Sequence, residues 1–234
     1  MSTNLINNFI SMNTENLEKH SINPVNDDYI FLFDIDDTLY KRSEKMKMVE
    51  KQKFKEAYNH FKLQKPDVPE WEKFLDEKIL YAESFRIHFN KTCLEVEKIR
   101  ACDYKKFITE DKELKNYLKN FQYRSWCFTN GLRCRAEPIL EGLNLSDVFE
   151  GVICMDDNFS SGSVRGKPQE EMYKFVEDLL KIKNKNKVFF FDDSLDNIET
   201  GRKMGWNCYL IDKEDNLLDK LKIIVSEIQS DMER

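Results

Sequence analysis

Short apolar segments alternate along this chain with longer stretches in which apolar residues recur every three or four positions. The segments 29–33, 124–128, 188–191 and 206–211 are rich in Phe, Val and Ile, and 151–154 is a shorter fifth. Their length and near-continuous apolarity are those of strands buried on both faces of a parallel sheet. Between them, residues 171–182 place Met172, Phe175, Val176, Leu179 and Leu180 on one helical face. Leu217, Leu218, Leu221, Ile224, Val225 and Ile228 repeat that spacing near the C-terminus. Strand and helix in alternation predict an α/β fold, a Rossmann-like parallel sheet with helices on both faces. Gly205, after Arg202, Lys203 and Met204, reads as a left-handed helix stop before the last strand.

Residues 41–109 interrupt the alternation with amphipathic helical patterns and no convincing strand. Met46, Val49, Ala57, Tyr58 and Phe61 form one stripe there, and Pro66 and Pro69 mark the turn before a second run that begins at Trp71. An all-helical insert straight after the first strand should overhang the carboxyl ends of the strands, where open α/β sheets bind ligands. The organisation expected is a core of residues 29–40 and 110–234, a helical cap of 41–109, and a flexible N-terminal tail of 1–28. The tail is rich in Asn and Ser; Leu5, Ile6, Phe9 and Ile10 would make only a marginal helix.

Composition narrows the function classes. With 234 residues, 41% of them hydrophobic, the chain can bury one substantial core and carry an accessory unit. Charged residues make up 34%, but the signs interleave and the net charge is −6, so no basic stripe points to nucleic acid. The six cysteines, at 93, 102, 127, 134, 154 and 208, lack the short spacings of zinc or dithiol sites and read as reduced packing residues. That usage, with no signal or transit pattern and no apolar run of membrane length, predicts a cytoplasmic or nuclear protein.

The candidate chemistry lies at strand ends. Asp34 and Asp36 follow the first strand directly, and alternate carboxylates there are costly unless a cation neutralises them. Mg²⁺ suits such a cluster, since it takes few carboxylates and keeps positions for water or phosphate oxygens. Two acids at a strand end are equally well turn residues. A second pair, Asp192 and Asp193, follows residues 188–191 in the same position, although Asp193 could be a helix N-cap. Thr129, Asn130 and Gly131 at a third strand end could cradle phosphate oxygens. Lys167, before Pro168 at a helix start, could face the same anion; alone it would be one of 37 basic residues.

The order of these clusters resembles that of the haloacid dehalogenase superfamily. The segment Asp34-Ile35-Asp36-Asp37-Thr38 matches that family's Asp-x-Asp-x-Thr motif. The resemblance implies Asp34 as nucleophile and Asp36 as general acid/base, with Thr129 and Lys167 as catalytic, phosphate-binding groups and Asn130 beside them. It also implies Mg²⁺ held by Asp34, Asp36, Asp192 and Asp193. Asp36 favours phosphate over halide chemistry, because a halide leaving group needs no proton. Residues 33–40, 128–130, 191–194 and 197–201 look most like the fungal and plant pyrimidine 5'-nucleotidase group, which implies UMP or CMP as substrate. Where that group carries Tyr-Gly in its cap, this chain has Tyr81-Ala82, with Tyr81, Arg86 and His88 as candidate substrate contacts. The alternatives are a phosphosugar or phosphoglycolate-type phosphatase, a phosphomutase, or an idle binding module. Pro138 predicts that the helix after Gly131 starts late or kinks. The expected partner is a small phosphomonoester, with neither nucleic acid nor membrane.

Overall fold

The computed structural model describes residues 8–13, 17, 20, 22–75, 81–155 and 165–233. Its centre is a six-stranded, all-parallel sheet in the order β1-β4-β3-β2-β5-β6. The strands are β1 Phe9–Ser11, β2 Ile30–Phe33, β3 Arg124–Leu132, β4 Gly151–Met155, β5 Val188–Asp192 and β6 Asn207–Leu210. Side-chain alternation along them feeds two apolar layers. Phe31 and Phe33 face a layer with the helices α5 (Lys112–Lys119), α6 (Arg133–Gly142) and α9 (Leu217–Met232). Ile30 and Leu32 face the other, with α7 (Glu170–Leu180) and α8 (Leu195–Lys203). Phe31 stacks on Phe189 and Phe33 on Phe191 across the β2–β5 pairing, with centroids 5.0 and 5.2 Å apart. Each such buried ring contributes about 1.5–3 kcal/mol.

The tail corrects one expectation. Residues 9–11 form β1 at the sheet edge, paired with β4 so that Phe9 meets Val152 and Ile10 meets Ile153, and Ile10 and Met12 are buried. A three-residue strand has no periodicity to read; β4 supplies its hydrogen bonds and its burial. Leu5 and Ile6 lie outside the described residues.

Among the described residues, 41–109 hold four α-helices and a 3-10 turn, with no strand. The helices are α1 Glu44–Lys62, α2 Trp71–Leu75, α3 Tyr81–Phe89 and α4 Cys93–Arg100, and Tyr104–Phe107 forms the turn. They share an aromatic cluster of their own around Tyr58, Phe61, Phe74, Phe85 and Phe89. The α1 stripe differs by one residue from the pattern in the sequence, because Glu50 is buried and Val49 only half-buried. Glu50 lies one full turn beyond Met46, on the face turned to the core.

Two local features aim the site. The chain leaves β2 and β5 in opposite directions, so a crevice opens beyond their carboxyl ends, the place where such sheets bind ligands. Between Phe128 and Leu132 the β3–β4 register shifts, which lifts Thr129, Asn130 and Gly131 out of the ladder toward that crevice. α6 then starts directly at Arg133 and carries Pro138 within it, so the late start that the proline allowed does not occur. Gly205 has φ +93° and ends α8 as its position predicted.

Candidate active site

Beyond β2 the chain makes a single turn in which the Leu39 amide donates to the Ile35 carbonyl at 3.1 Å. Asp37 takes a left-handed conformation in this turn, φ 56°, which an acidic residue tolerates. The turn brings Asp34 and Asp36 to the same cavity of about 290 Å³, together with Thr129, Asn130, Gly131, Lys167 and Asp193. Its roof comes from the insert, through Glu50 and Phe54 of α1, Tyr81 of α3 and Arg100 of α4.

Lys167 is the hub of the floor. It is 1% exposed, and its Nζ donates to Asp34 Oδ1 at 2.8 Å, Asp192 Oδ2 at 2.6 Å and the Phe128 carbonyl at 2.6 Å. Its backbone is fixed reciprocally by Asn130: the Lys167 amide donates to Asn130 Oδ1 and Asn130 Nδ2 donates to the Lys167 carbonyl, both at 2.8 Å. Burial opposes the ammonium charge, but Asp192 and Asp34 hold its pKa above the ordinary lysine value. For Asp34, burial dominates and Asp192 adds to it, so its carboxyl lies well above the usual range despite Lys167. Pro168 lies in a turn ahead of α7, whose N-cap is Gln169, so it does not occupy the helix's first turn as its position had suggested.

The two acids of the second pair separate. Asp192 is wholly buried behind the cavity, with one oxygen on Lys167 and the other accepting from the Ser194 amide and from Asn197 Nδ2. Those bonds engage both oxygens of Asp192 and fix it against Lys167. Asp193 lines the cavity and is no helix cap, since α8 is capped at Ser194. Burial, then Asp192 and Asp37, raise its pKa to about 6. No three carboxylate, thiol or imidazole side chains converge on one metal position among the described residues. The donor set still fits Mg²⁺, which uses one or two carboxylates plus water and phosphate oxygens. Asp34 is buried and Asp193 exposed to solvent, and both line one cavity with more negative charge than Lys167 offsets.

Asp36 faces the opposite wall. Arg135 grips it with Nε on Oδ2 at 2.9 Å and Nη2 on Oδ1 at 2.8 Å, and the Tyr40 hydroxyl donates to Oδ1. Burial alone would raise Asp36; the Arg135 charge and hydrogen bonds outweigh it, with help from Tyr40 and Arg42, and bring it to about 2. Arg135 is 5% exposed and lies 2.5 Å from Glu50 of the insert through Nη1, while Arg42 pairs with Asp37 and Glu50.

Of the expected insert contacts, Tyr81 alone lines the cavity. Arg86 pairs with Glu83, and His88 packs beside Phe74, with ring centroids 5.6 Å apart. Neither is among the residues that line the cavity. Thr129 lines it, its hydroxyl accepting from the Gly131 amide at 3.0 Å. The sequence reading missed Arg135, Glu50, Arg100, Phe54 and Asn197. Arg133 and Arg135 in the first turn of α6 oppose the helix dipole, and that mismatch was a legible sign of an anionic partner. None of the six cysteines forms a disulfide; four are buried and Cys134 is exposed. No helix among the described residues is long and apolar enough to cross a membrane.

Comparison with known proteins places this geometry. Residues 30–205 match the haloacid dehalogenase-like hydrolase family. Phosphate metabolism protein 8 of Saccharomyces cerevisiae is 23% identical over 195 residues, and the match takes in 75% of this chain and 59% of that protein. This chain therefore spans less than two thirds of that relative's length. Among solved structures, a putative phosphoglycolate phosphatase from Lactobacillus plantarum superposes with a TM-score of 0.53 at 14% identity, over 79% of this chain and 86% of that one. A predicted HAD-like hydrolase from Porphyromonas gingivalis gives 0.51 at 15%, over 84% and 97%. At such identities the likeness speaks for the fold.

Proposed function

Since the chain belongs to the haloacid dehalogenase-like hydrolase family, we propose that it is a Mg²⁺-dependent phosphomonoester hydrolase working through an aspartyl-phosphate on Asp34. The observation that carries this reading is the buried Lys167 ammonium on Asp34 and Asp192, across one cavity from Asp36. Phosphoryl transfer needs positioning and charge neutralisation above all, and this floor supplies both. The Asp34 carboxylate attacks phosphorus, the ester bond breaks, and Asp36 protonates the departing alkoxide. Asp36 then takes a proton from water as that water attacks the acyl phosphate, releasing phosphate and restoring Asp34. Lys167 and the Thr129 hydroxyl bind the phosphate oxygens. Asp34, the Asp36 carbonyl and Asp193 would hold Mg²⁺, which supplies charge neutralisation between carboxylate and phosphate when bound.

The Arg135 grip keeps Asp36 ionised, which suits the base and opposes the acid. A phosphate group arriving beside Arg135 offers that guanidinium a partner of matching geometry, and so frees Asp36 to hold a proton.

The substrate in this reading is a pyrimidine nucleoside 5'-monophosphate, UMP or CMP. A cavity of about 290 Å³ lies at the small end of ligand sites, which run from roughly 300 to 1,000 Å³. It is walled by Phe54 and Tyr81 and closed over by the insert, features of a site for a small diffusible molecule with one ring. The test is phosphate release from UMP, CMP, sugar phosphates and an aryl phosphate, with Mg²⁺ and then with EDTA. Release from UMP or CMP that vanishes in EDTA and returns with Mg²⁺ is expected; turnover indifferent to the metal would sink the mechanism.

A further inference from the structure

Asp36 is held by more than Arg135. Its Oδ1 accepts from Arg135 Nη2 at 2.8 Å and from the Tyr40 hydroxyl, whereas its Oδ2 accepts, among the described residues, from Arg135 Nε alone, at 2.9 Å. An ionised carboxylate has about four acceptor positions, roughly two on each oxygen. Both on Oδ1 are taken, and the position left open is on Oδ2. A proton can settle there without displacing any of these donors.

Tyr40 owes its place to the turn that follows β2. The Leu39 amide on the Ile35 carbonyl closes that turn, and Asp36 and Tyr40 face each other across it in an isolated bridge. Lys41 pins the turn to the end of β6, its Nζ donating to the carbonyls of Asp37 at 2.7 Å, Asp212 at 2.8 Å and Ile211 at 3.2 Å. The Tyr40 ring is buried in the apolar layer of the core, with its hydroxyl 4.0 Å from Met46 Sδ. A buried tyrosine needs a partner for its hydroxyl, and here the partner is the carboxylate assigned to move protons.

Tyr40 is not among the residues that line the active-site cavity, whereas Arg135 is. A phosphate arriving beside Arg135 therefore competes for both bonds that Arg135 makes to Asp36, but not for the bond from Tyr40. Tyr40 is then the donor that still fixes Asp36 while a proton passes.

We propose that Tyr40 is a positioning residue for the general acid/base, keeping Asp36 Oδ1 as an anchor and leaving Oδ2 to carry the proton. In the first step the Oδ2–H bond breaks, and its proton goes to the leaving oxygen, which keeps the electron pair of the broken P–O bond. In the second, Oδ2 takes a proton from the attacking water. The Tyr40 proton stays on its own oxygen throughout. The assignment rests on the phosphatase reading above.

The test is Tyr40→Phe in the full chain with Mg²⁺, which removes the hydroxyl and keeps the ring that packs in the core. Two alkyl phosphates, UMP and ribose 5-phosphate, are compared with a dinitrophenyl phosphate, whose phenolate departs without a proton. The quantity read is kcat/KM, which ends at departure of the leaving group, so the later attack by water does not enter it. On the alkyl phosphates it should fall about ten- to a hundredfold, the scale for a misplaced catalytic group, and on the dinitrophenyl phosphate by about twofold at most. Added to Asp36→Asn, Tyr40→Phe should cost the alkyl phosphates nothing further, because Tyr40 acts through Asp36. An equal fall on both kinds of substrate, no fall on either, or an additive loss in the double variant overturns the assignment and leaves the phosphatase reading standing. Wild-type protein that releases phosphate from no phosphomonoester overturns that reading, and this assignment with it.

Discussion

Two buried cations flank Asp34 and Asp36, and they differ in what they join. Lys167 bridges Asp34 and Asp192, all three from the core: Asp34 follows β2, Asp192 ends β5 and Lys167 precedes α7. Arg135 bridges Asp36, from the core, and Glu50, from the insert. The first arrangement is complete without the insert, whereas the second exists only when α1 is seated over the sheet. Rigid neutralisation of Asp34 is thus a property of the core, while the full set of contacts around Arg135 and Asp36 depends on how the insert sits. The contrast is physical, since a short ammonium between two carboxylates fixes a point and a forked guanidinium spans a gap.

The comparison can be broken or sharpened by substitution. Asp34→Asn removes the carboxylate that both walls serve, and phosphate release should fall about 10⁴-fold or more; activity near the wild-type level would detach both regions from catalysis. Lys167→Met leaves Asp34 and Asp192 facing each other without a cation. Urea unfolding should then show a loss of about 3–5 kcal/mol, the scale for a broken buried ion pair. Glu50→Gln takes one partner from both Arg135 and Arg42 but leaves each its other carboxylate, Asp36 or Asp37. Its cost should be smaller, about 1–3 kcal/mol in the same experiment. If the two losses were equal, the distinction between core and insert would fail.

The smallest effect is one of pH. Burial holds the Asp193 carboxyl at about 6, above its unfolded value of about 4. Its contribution to stability is fully present below about pH 4 and is lost as pH rises through 6; Asp34, raised in the same direction, extends that loss upward. Asp36, held at about 2, has the opposite sign and loses its contribution only as pH falls below about 4. Mg²⁺ binding needs ionised carboxylates, so the gain in melting temperature from Mg²⁺ over EDTA should widen between about pH 5 and 8. A constant gain would show that Asp34 and Asp193 do not hold the metal.

Much of the core was legible in the residues themselves. The five segments expected as strands form β2 to β6, because each is apolar and bounded by turn or helix signals; β2, β4 and β5 are buried throughout, whereas β6 is half-buried at the sheet edge. The strand-end positions of Asp34, Thr129 and Asp193 could be read for the same reason, since a strand end in a parallel sheet fixes where its loop points. β1 was not legible, because three residues owe their structure to β4. The surroundings of Asp192 and Asp193 could not be told apart either, since adjacent residues at a strand end differ only in which way they face.

What the sequence by itself determined is the order of the site groups, carboxylate pair, hydroxyl, cation and carboxylate pair, since each falls at the end of a locally encoded element. Tertiary structure alone decided the partners of the charges. Arg135 meets Glu50 across 85 positions of chain, Lys167 meets Asp34 across 133, and Arg100 reaches the same cavity from the last turn of α4. Hydrophobic periodicity specifies faces, and it carries no information about which buried charge will face which. That pairing is fixed only when the insert closes over the sheet and each desolvated charge has to find a counterion.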